Sequence, residues 1–209
     1  MPSTTSTTER GPSGANVREA QRLETRARVF DAAVAEIGRS GLAGADVSTI
    51  ARAAGVVRGT FYFHFPTKEH ILVELERTEE VKIVERLRSA APAARNLASL
   101  LAALVRQVAA AGRRLGPWIL RDMLGLHFSS TRPVEDEIGR HPLAEFVIGA
   151  IADAQTAGRV KTDANPGELG VIFMTGLFAL LATAGPASRT RTALLDRYVT
   201  TILEGVTAQ

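Results

Sequence analysis

Arg58, Thr60, Tyr62 and His64 fall within one short run and carry a guanidinium, two hydroxyls and an imidazole. Such groups donate hydrogen bonds to anionic oxygens and to the edges of bases. An arginine fork bonds guanine or a phosphate. Thr and Tyr hydroxyls suit phosphate oxygens, contacts that place a protein on a duplex without reading its sequence. Gly59, beside them, leaves room for a base edge. From Val47 to Lys68 there are three basic residues, Arg52, Arg58 and Lys68, and no acidic one. Beyond Lys68 the charges nearly balance, and the formal net charge of the 209-residue chain is only +3. The local excess, more than the total, is what phosphate contact requires.

Two short helices must position these groups. Asp46 is placed to cap a helix from Val47 to Ala54, its carboxylate accepting from the amide of Ser48 or Thr49. Gly55 breaks that helix. A second helix runs from about Arg58 to Phe65, and Pro66 ends it, because the residue before a proline avoids the helical region. Two short helices with a glycine at the turn are the elements of a helix-turn-helix. Ile50, Ala51 and Ala54 form the inner face of the first. Phe61 and Phe65, four residues apart, give the second an apolar edge with Val56. The outer face of the second then presents Arg58, Gly59, Thr60, Tyr62, Phe63 and His64. Val57, at the cap position, offers no side-chain acceptor, which costs roughly 1 kcal/mol relative to a capped start.

The flanking sequence is helical in period. From Val17 to Arg39, Leu23, Ala27, Phe30, Val34 and Ile37 share one stripe, ended near Gly38 and Gly41. Thr67 is expected to cap a long helix from Lys68 to about Ser89. Lys68, in its first turn beside free amides, makes an anion site. After a break at Ala91-Pro92, helices are expected at Arg95–Ala111, Pro117–Leu126, Pro142–Ala157, Pro166–Thr183 and Thr190–Val206. Pro117, Pro142 and Pro166 suit first-turn positions. No stretch alternates as strands do. The expectation is an all-α protein: a tail at 1–18, a three-helix DNA-binding domain at 19–68, and a helical ligand-binding and dimerisation domain at 69–209. The tail, rich in Ser, Thr, Gly and Pro, reads as disordered and not as a signal peptide. The chain has no Cys, which rules out disulfides and thiolate metal sites and fits a reducing cytoplasm.

The segment resembles the TetR family of one-component regulators. The resemblance runs through Thr25-Arg26, Phe30-Asp31-Ala32-Ala33, Gly41, Ile50-Ala51, Ala54-Gly55-Val56, Arg58-Gly59-Thr60-Phe61-Tyr62, His64-Phe65 and Lys68-Glu69. Beyond these roughly 50 residues it is carried only by length, helix content and the Gly158–Pro166 pattern. It implies that Ser48, Arg58, Gly59, Phe63 and His64 approach bases. Thr49, Thr60, Tyr62 and Lys68 would hold phosphates. It also implies a homodimer through the last two helices. Val57 departs from the family, which often has Ser or Thr there.

The C-terminal part offers a candidate effector site: Trp118, Arg121, Asp122, Phe128, Phe146, Phe173, Met174 and Phe178. Aromatic walls with one charge suit a small apolar or aromatic ligand; ordinary core packing is the alternative. Pro166–Thr183 is apolar nearly all round and must be covered on several sides. With Thr190–Val206 it suggests a dimer face over 166–206 rather than a membrane span. No catalytic residue, cofactor or metal site is expected. The four histidines (64, 70, 127, 141) show no metal-ligand spacing, no phosphate-binding glycine loop is present, and Glu135-Asp136-Glu137 reads as a solvated acid run. The favoured function is a cytoplasmic repressor that binds a palindromic double-stranded operator as a dimer and is released by an effector. The rivals are an activator or corepressor-dependent regulator, and a helical ligand-binding protein or enzyme whose helix-turn-helix is vestigial.

Overall fold

In the computed structural model, residues 14–90, 96–137, 140–183 and 189–206 are described. Among these, nine α-helices account for the secondary structure: α1 Gly14–Gly44, α2 Val47–Ala53, α3 Arg58–His64, α4 Lys68–Ser89, α5 Leu97–Leu115, α6 Pro117–Leu126, α7 Pro142–Thr156, α8 Pro166–Thr183 and α9 Arg189–Val206. The all-α expectation holds. The break expected at Ala91-Pro92 and most of the expected tail lie outside the described residues. Residues 14–18, read from sequence as tail, are part of α1.

The structure shifts the buried stripe of α1. Val29, Ala33 and Ile37 are fully buried, whereas Leu23 is exposed. Residues 16–24, in the first turns of α1, are exposed throughout. At its other end α1 kinks at Gly41, whose φ of 71° and ψ of 167° are non-helical. A side chain would be strained there. It would also be crowded, since a Cβ would lie 3.2 Å from an Asp122 carboxylate oxygen and 3.3 Å from the Trp118 ring.

Two cores result. One joins Val29, Ala33 and Ile37 of α1 to Ile50 of α2, Phe61 of α3 and Ile71, Leu72 and Leu75 of α4, and it also takes in Ile119, Met123 and Leu126 of α6. The other joins the second half of α4 to α5, α7, α8 and α9 through Leu104, Val147, Phe173, Leu177 and Leu195. The boundary drawn from sequence at 68/69 therefore does not divide the cores. Helix α4 belongs to both, and α6 reaches from the second domain into the first.

Candidate nucleic-acid interface and its coupling to the second domain

Helix α2 starts as its sequence dictates. The Asp46 carboxylate accepts from the Thr49 amide at 2.9 Å and from the Thr49 hydroxyl at 3.0 Å. These bonds hold the carboxyl below its ordinary range. Ile50, Ala51 and Ala54 are buried, and Gly55 turns the chain with φ 69°. Helix α3 begins at Val57 without a side-chain cap, and Val57 is 74% exposed. Phe61 and Phe65 are buried beneath it.

Burying Phe61 and Phe65 fixes what faces outward. Arg58, Gly59, Tyr62 and Phe63 are exposed on α3, as is Ser48 on α2. Tyr62 is 43% exposed and Phe63 72%. The Arg58 guanidinium donates to the Tyr62 hydroxyl at 3.2 Å and lies 5.6 Å from its ring centroid. The two side chains thus form one exposed polar pair a helical turn apart. A Cβ on Gly59 would meet no atom within 4 Å. The fold has no need of glycine there, so the space belongs to whatever approaches from outside. Thr60 and Thr49 are half-buried. His64 is half-buried too, and burial, with Arg22 and Arg26 nearby, holds its imidazole below the ordinary value. It is then neutral at pH 7 and offers one N–H and one lone pair.

Lys68 and Thr67 depart from expectation. The Lys68 ammonium donates to the Leu42 carbonyl at 2.7 Å and the Ala45 carbonyl at 2.8 Å, with the Ala43 carbonyl at 3.5 Å. It caps the carbonyl end of α1, a place where a cation is favoured. Thr67 makes no backbone cap; its hydroxyl pairs with His70 Nδ1 at 3.0 Å.

The residues expected to line an effector site do not converge. Trp118, Arg121 and Asp122 cover the kink at Gly41. The Arg121 guanidinium lies 4.3 Å from the Trp118 ring centroid and donates to Asp122 at 2.9 Å. Asp122 in turn accepts from the Leu42 amide at 2.6 Å. Phe128 is exposed. Phe146 packs in a surface groove beside Val81, Val84 and Arg88. Phe173 and Met174 are core residues, Phe173 stacking on Tyr198 with centroids 5.5 Å apart. Of the eight, Phe178 borders a small cavity of about 40 Å³ with Ile83, Val108, Leu120, Met123 and Leu143, lined also by Glu76, Glu79 and Glu80. These residues were chosen for being aromatic and clustered in sequence, and helix packing scattered them to different faces.

A polar cluster that sequence reading missed borders the same cavity. Glu76 and Glu80 of α4 are buried, as are Asp136 and His141. His127 Nε2 meets Glu76 at 2.5 Å, and Arg132 bonds Asp136 at 2.5 Å. His141 bridges Asp136 at 2.8 Å and Glu80 at 3.2 Å. Asp136 is therefore no part of a solvated acid run. The available signal was the i, i+4 pair Glu76/Glu80 on one face of α4; the partners from the α6–α7 connection are distant in sequence.

Comparison with known proteins agrees with this geometry. The family described as bacterial regulatory proteins, tetR family, matches residues 29–75. The chain is 40% identical over 60 residues to the fatty acid metabolism regulator protein of Bacillus subtilis (strain 168), a match covering 29% of this chain and 31% of that protein. The chain thus spans less than a third of that relative's length. Over most of the chain the likeness is one of fold. Thermus thermophilus FadR, described as a TetR family transcriptional repressor in complex with lauroyl-CoA, superposes with TM-score 0.71 at 22% identity, over 88% of this chain and 96% of that one. RolR in complex with resorcinol superposes with TM-score 0.71 at 19% identity, over 92% of each. Residues 29–75 thus match the helix-turn-helix domain of the TetR family, and along nearly its whole length the chain shares the fold of these structures.

Proposed function

We propose that the chain is a dimeric, effector-released repressor that reads a palindromic operator with α3. One observation carries the reading: α3 buries Phe61 and Phe65 yet leaves Arg58, Gly59, Tyr62 and Phe63 outward. On B-DNA this face fits the major groove, where Arg reads guanine and an apolar side chain such as Phe63 meets a thymine methyl. Ser48 and Gly59 stand at the base-facing side, and Thr49, Thr60 and Tyr62 at the backbone. Lys68 supports the interface from behind.

A second copy is the natural cover for α8 and α9. Pro166–Thr183 is apolar and long enough to cross a membrane by composition, with mean hydropathy 1.5, but only 33% of it is buried within one chain. Ile172 is 55% exposed, and Val171 and Leu194 are exposed with it. A four-helix interface across two chains would bury them and set the spacing of the two α3 helices.

Effector control follows from the joint between domains. The structural relatives named above hold lauroyl-CoA and resorcinol. A small apolar or aromatic ligand suits this chain's cavity, but the volume of about 40 Å³ is far below the roughly 300 Å³ or more that small-molecule sites need. A ligand placed there must therefore favour an opened form. Only a difference in affinity between the closed and opened forms can drive release. Opening moves α6 against α1 at Asp122 and Gly41, and so tilts α2 and α3.

The test is selection of duplexes from a random library by the full-length protein. The expected product is an inverted repeat with half-sites centred about 34–36 Å apart. Failure to enrich any sequence, or enrichment of an asymmetric single site, contradicts the reading.

A further inference from the structure

We propose that Glu76, Glu80 and His141 form a binding site for a first-row divalent transition-metal ion. One ligand atom from each lies within 4.8 Å of the other two. In a tetrahedral shell, metal–ligand bonds of about 2.0–2.2 Å put neighbouring ligands about 3.3–3.6 Å apart, so the widest pair must close by up to about 1.5 Å to complete the set. His141 Nδ1 and the Glu80 oxygen are already 3.2 Å apart, the spacing of adjacent ligands on one ion.

Hydrogen bonding points to the same place. His141 stands between two buried carboxylates, with Asp136 at Nε2 and Glu80 at Nδ1. A neutral imidazole has one N–H and can satisfy only one of them. The flanking carboxylates favour the imidazolium, which would donate to both, so an ion at Nδ1 takes the place of the proton aimed at Glu80 while Asp136 keeps the one on Nε2. A carboxylate behind a histidine in this way is the usual support for a metal-ligating imidazole. The second Glu80 oxygen, Oε2, is buried and has no hydrogen-bond partner among the described residues, and the Glu80 side chain is only 4% exposed. An orphan anionic oxygen so deep is costly unless a cation meets it.

Charge agrees. Three carboxylates (Glu76, Glu80, Asp136) face two guanidiniums, Arg132 and the partly exposed Arg77. The carboxylates thus outnumber the guanidiniums by one. One nitrogen and two oxygen donors, with no thiolate, suit Zn²⁺, Mn²⁺, Fe²⁺ or Ni²⁺ better than soft Cu⁺ or all-oxygen Ca²⁺. Glu76 and Glu80 also border the cavity of about 40 Å³, which holds a water or two to complete the shell. The histidine spacing gave no sign of this, because two ligands come from one turn of α4 and the third from the start of α7.

The test uses tag-free, full-length protein stripped with chelator and dialysed. It is titrated separately with ZnCl₂ and MnCl₂ by calorimetry, with metal content measured after desalting. Expected is one ion per chain for at least one metal, with binding weakened at least tenfold by Glu80→Gln and by His141→Gln and unchanged by His70→Gln. X-ray absorption of the wild-type protein loaded with the ion that binds should show one imidazole nitrogen with oxygens, so the outcome does not depend on the variants folding. Absence of stoichiometric binding, affinity unaltered in both variants, or a shell with more than one imidazole would overturn the proposal. None of these readouts involves DNA, so the site stands or falls apart from the operator reading.

Discussion

The Asp122 carboxylate on α6 accepts a hydrogen bond from the Leu42 amide at the end of α1, at 2.6 Å. Lys68, from the first turn of α4, grips the Leu42 carbonyl of the same residue at 2.7 Å. Both polar groups of Leu42 are thus held, one by each of the helices that reach the second core. Any shift of α6 against α4 is delivered to the segment that leads into α2.

Asp122→Ala should loosen this joint. It leaves the Leu42 amide unpartnered, which costs roughly 1–3 kcal/mol if the amide stays buried. Thermal melts should show that loss. With an effector in hand, the variant should bind operator yet release it poorly. Normal release would show that the signal travels elsewhere.

Gly59→Ala separates fold from function. A Cβ there meets nothing within the protein, and alanine favours helix by up to about 1 kcal/mol over glycine. The variant should melt no lower than wild type, while operator affinity drops at least tenfold. Unchanged affinity would move the base edge away from the N-terminal turn of α3.

Lys68→Met should do the reverse. Its ammonium serves carbonyls of α1, and losing charge-assisted bonds costs about 1.5–3 kcal/mol. Stability should fall while the salt dependence of DNA binding keeps its slope. A slope lowered by about one would reveal a phosphate contact after all.

Tyr198 predicts a pH effect. Its hydroxyl donates to the Phe173 carbonyl at 2.7 Å, and burial pushes its pKa up to about 12. The unfolded phenol ionises near 10, so between those values the unfolded chain holds fewer protons and stability falls as pH rises. Denaturant melts from pH 9 to 11.5 should show a decline that Tyr198→Phe reduces. Gly176 packs under the same hydroxyl, so Gly176→Ala should displace it.

The helix-turn-helix was legible in sequence because its determinants are local. Asp46 caps the next turn, Gly55 and Pro66 punctuate, and Phe61 and Phe65 share a face. The stripe of α1 is legible at Phe30, Val34 and Ile37 but not at Leu23 and Ala27, which are exposed, because period gives a helix's faces but not how far the neighbours reach. The bonds of Lys68 to α1 were not legible because the carbonyls it binds lie more than twenty residues back. The cluster around His141 was invisible for the same reason. It joins Glu80 to a residue 61 positions away, and only packing brings them together.

The most direct test is an anisotropy titration of a selected duplex with wild type and Arg58→Ala, repeated across salt concentrations. Wild type should bind specifically, with affinity falling steeply as salt rises. Arg58→Ala should fold normally and discriminate less by about 1–3 kcal/mol at the base it reads. Equal affinity and specificity in the two proteins would contradict the placement of α3 in the groove.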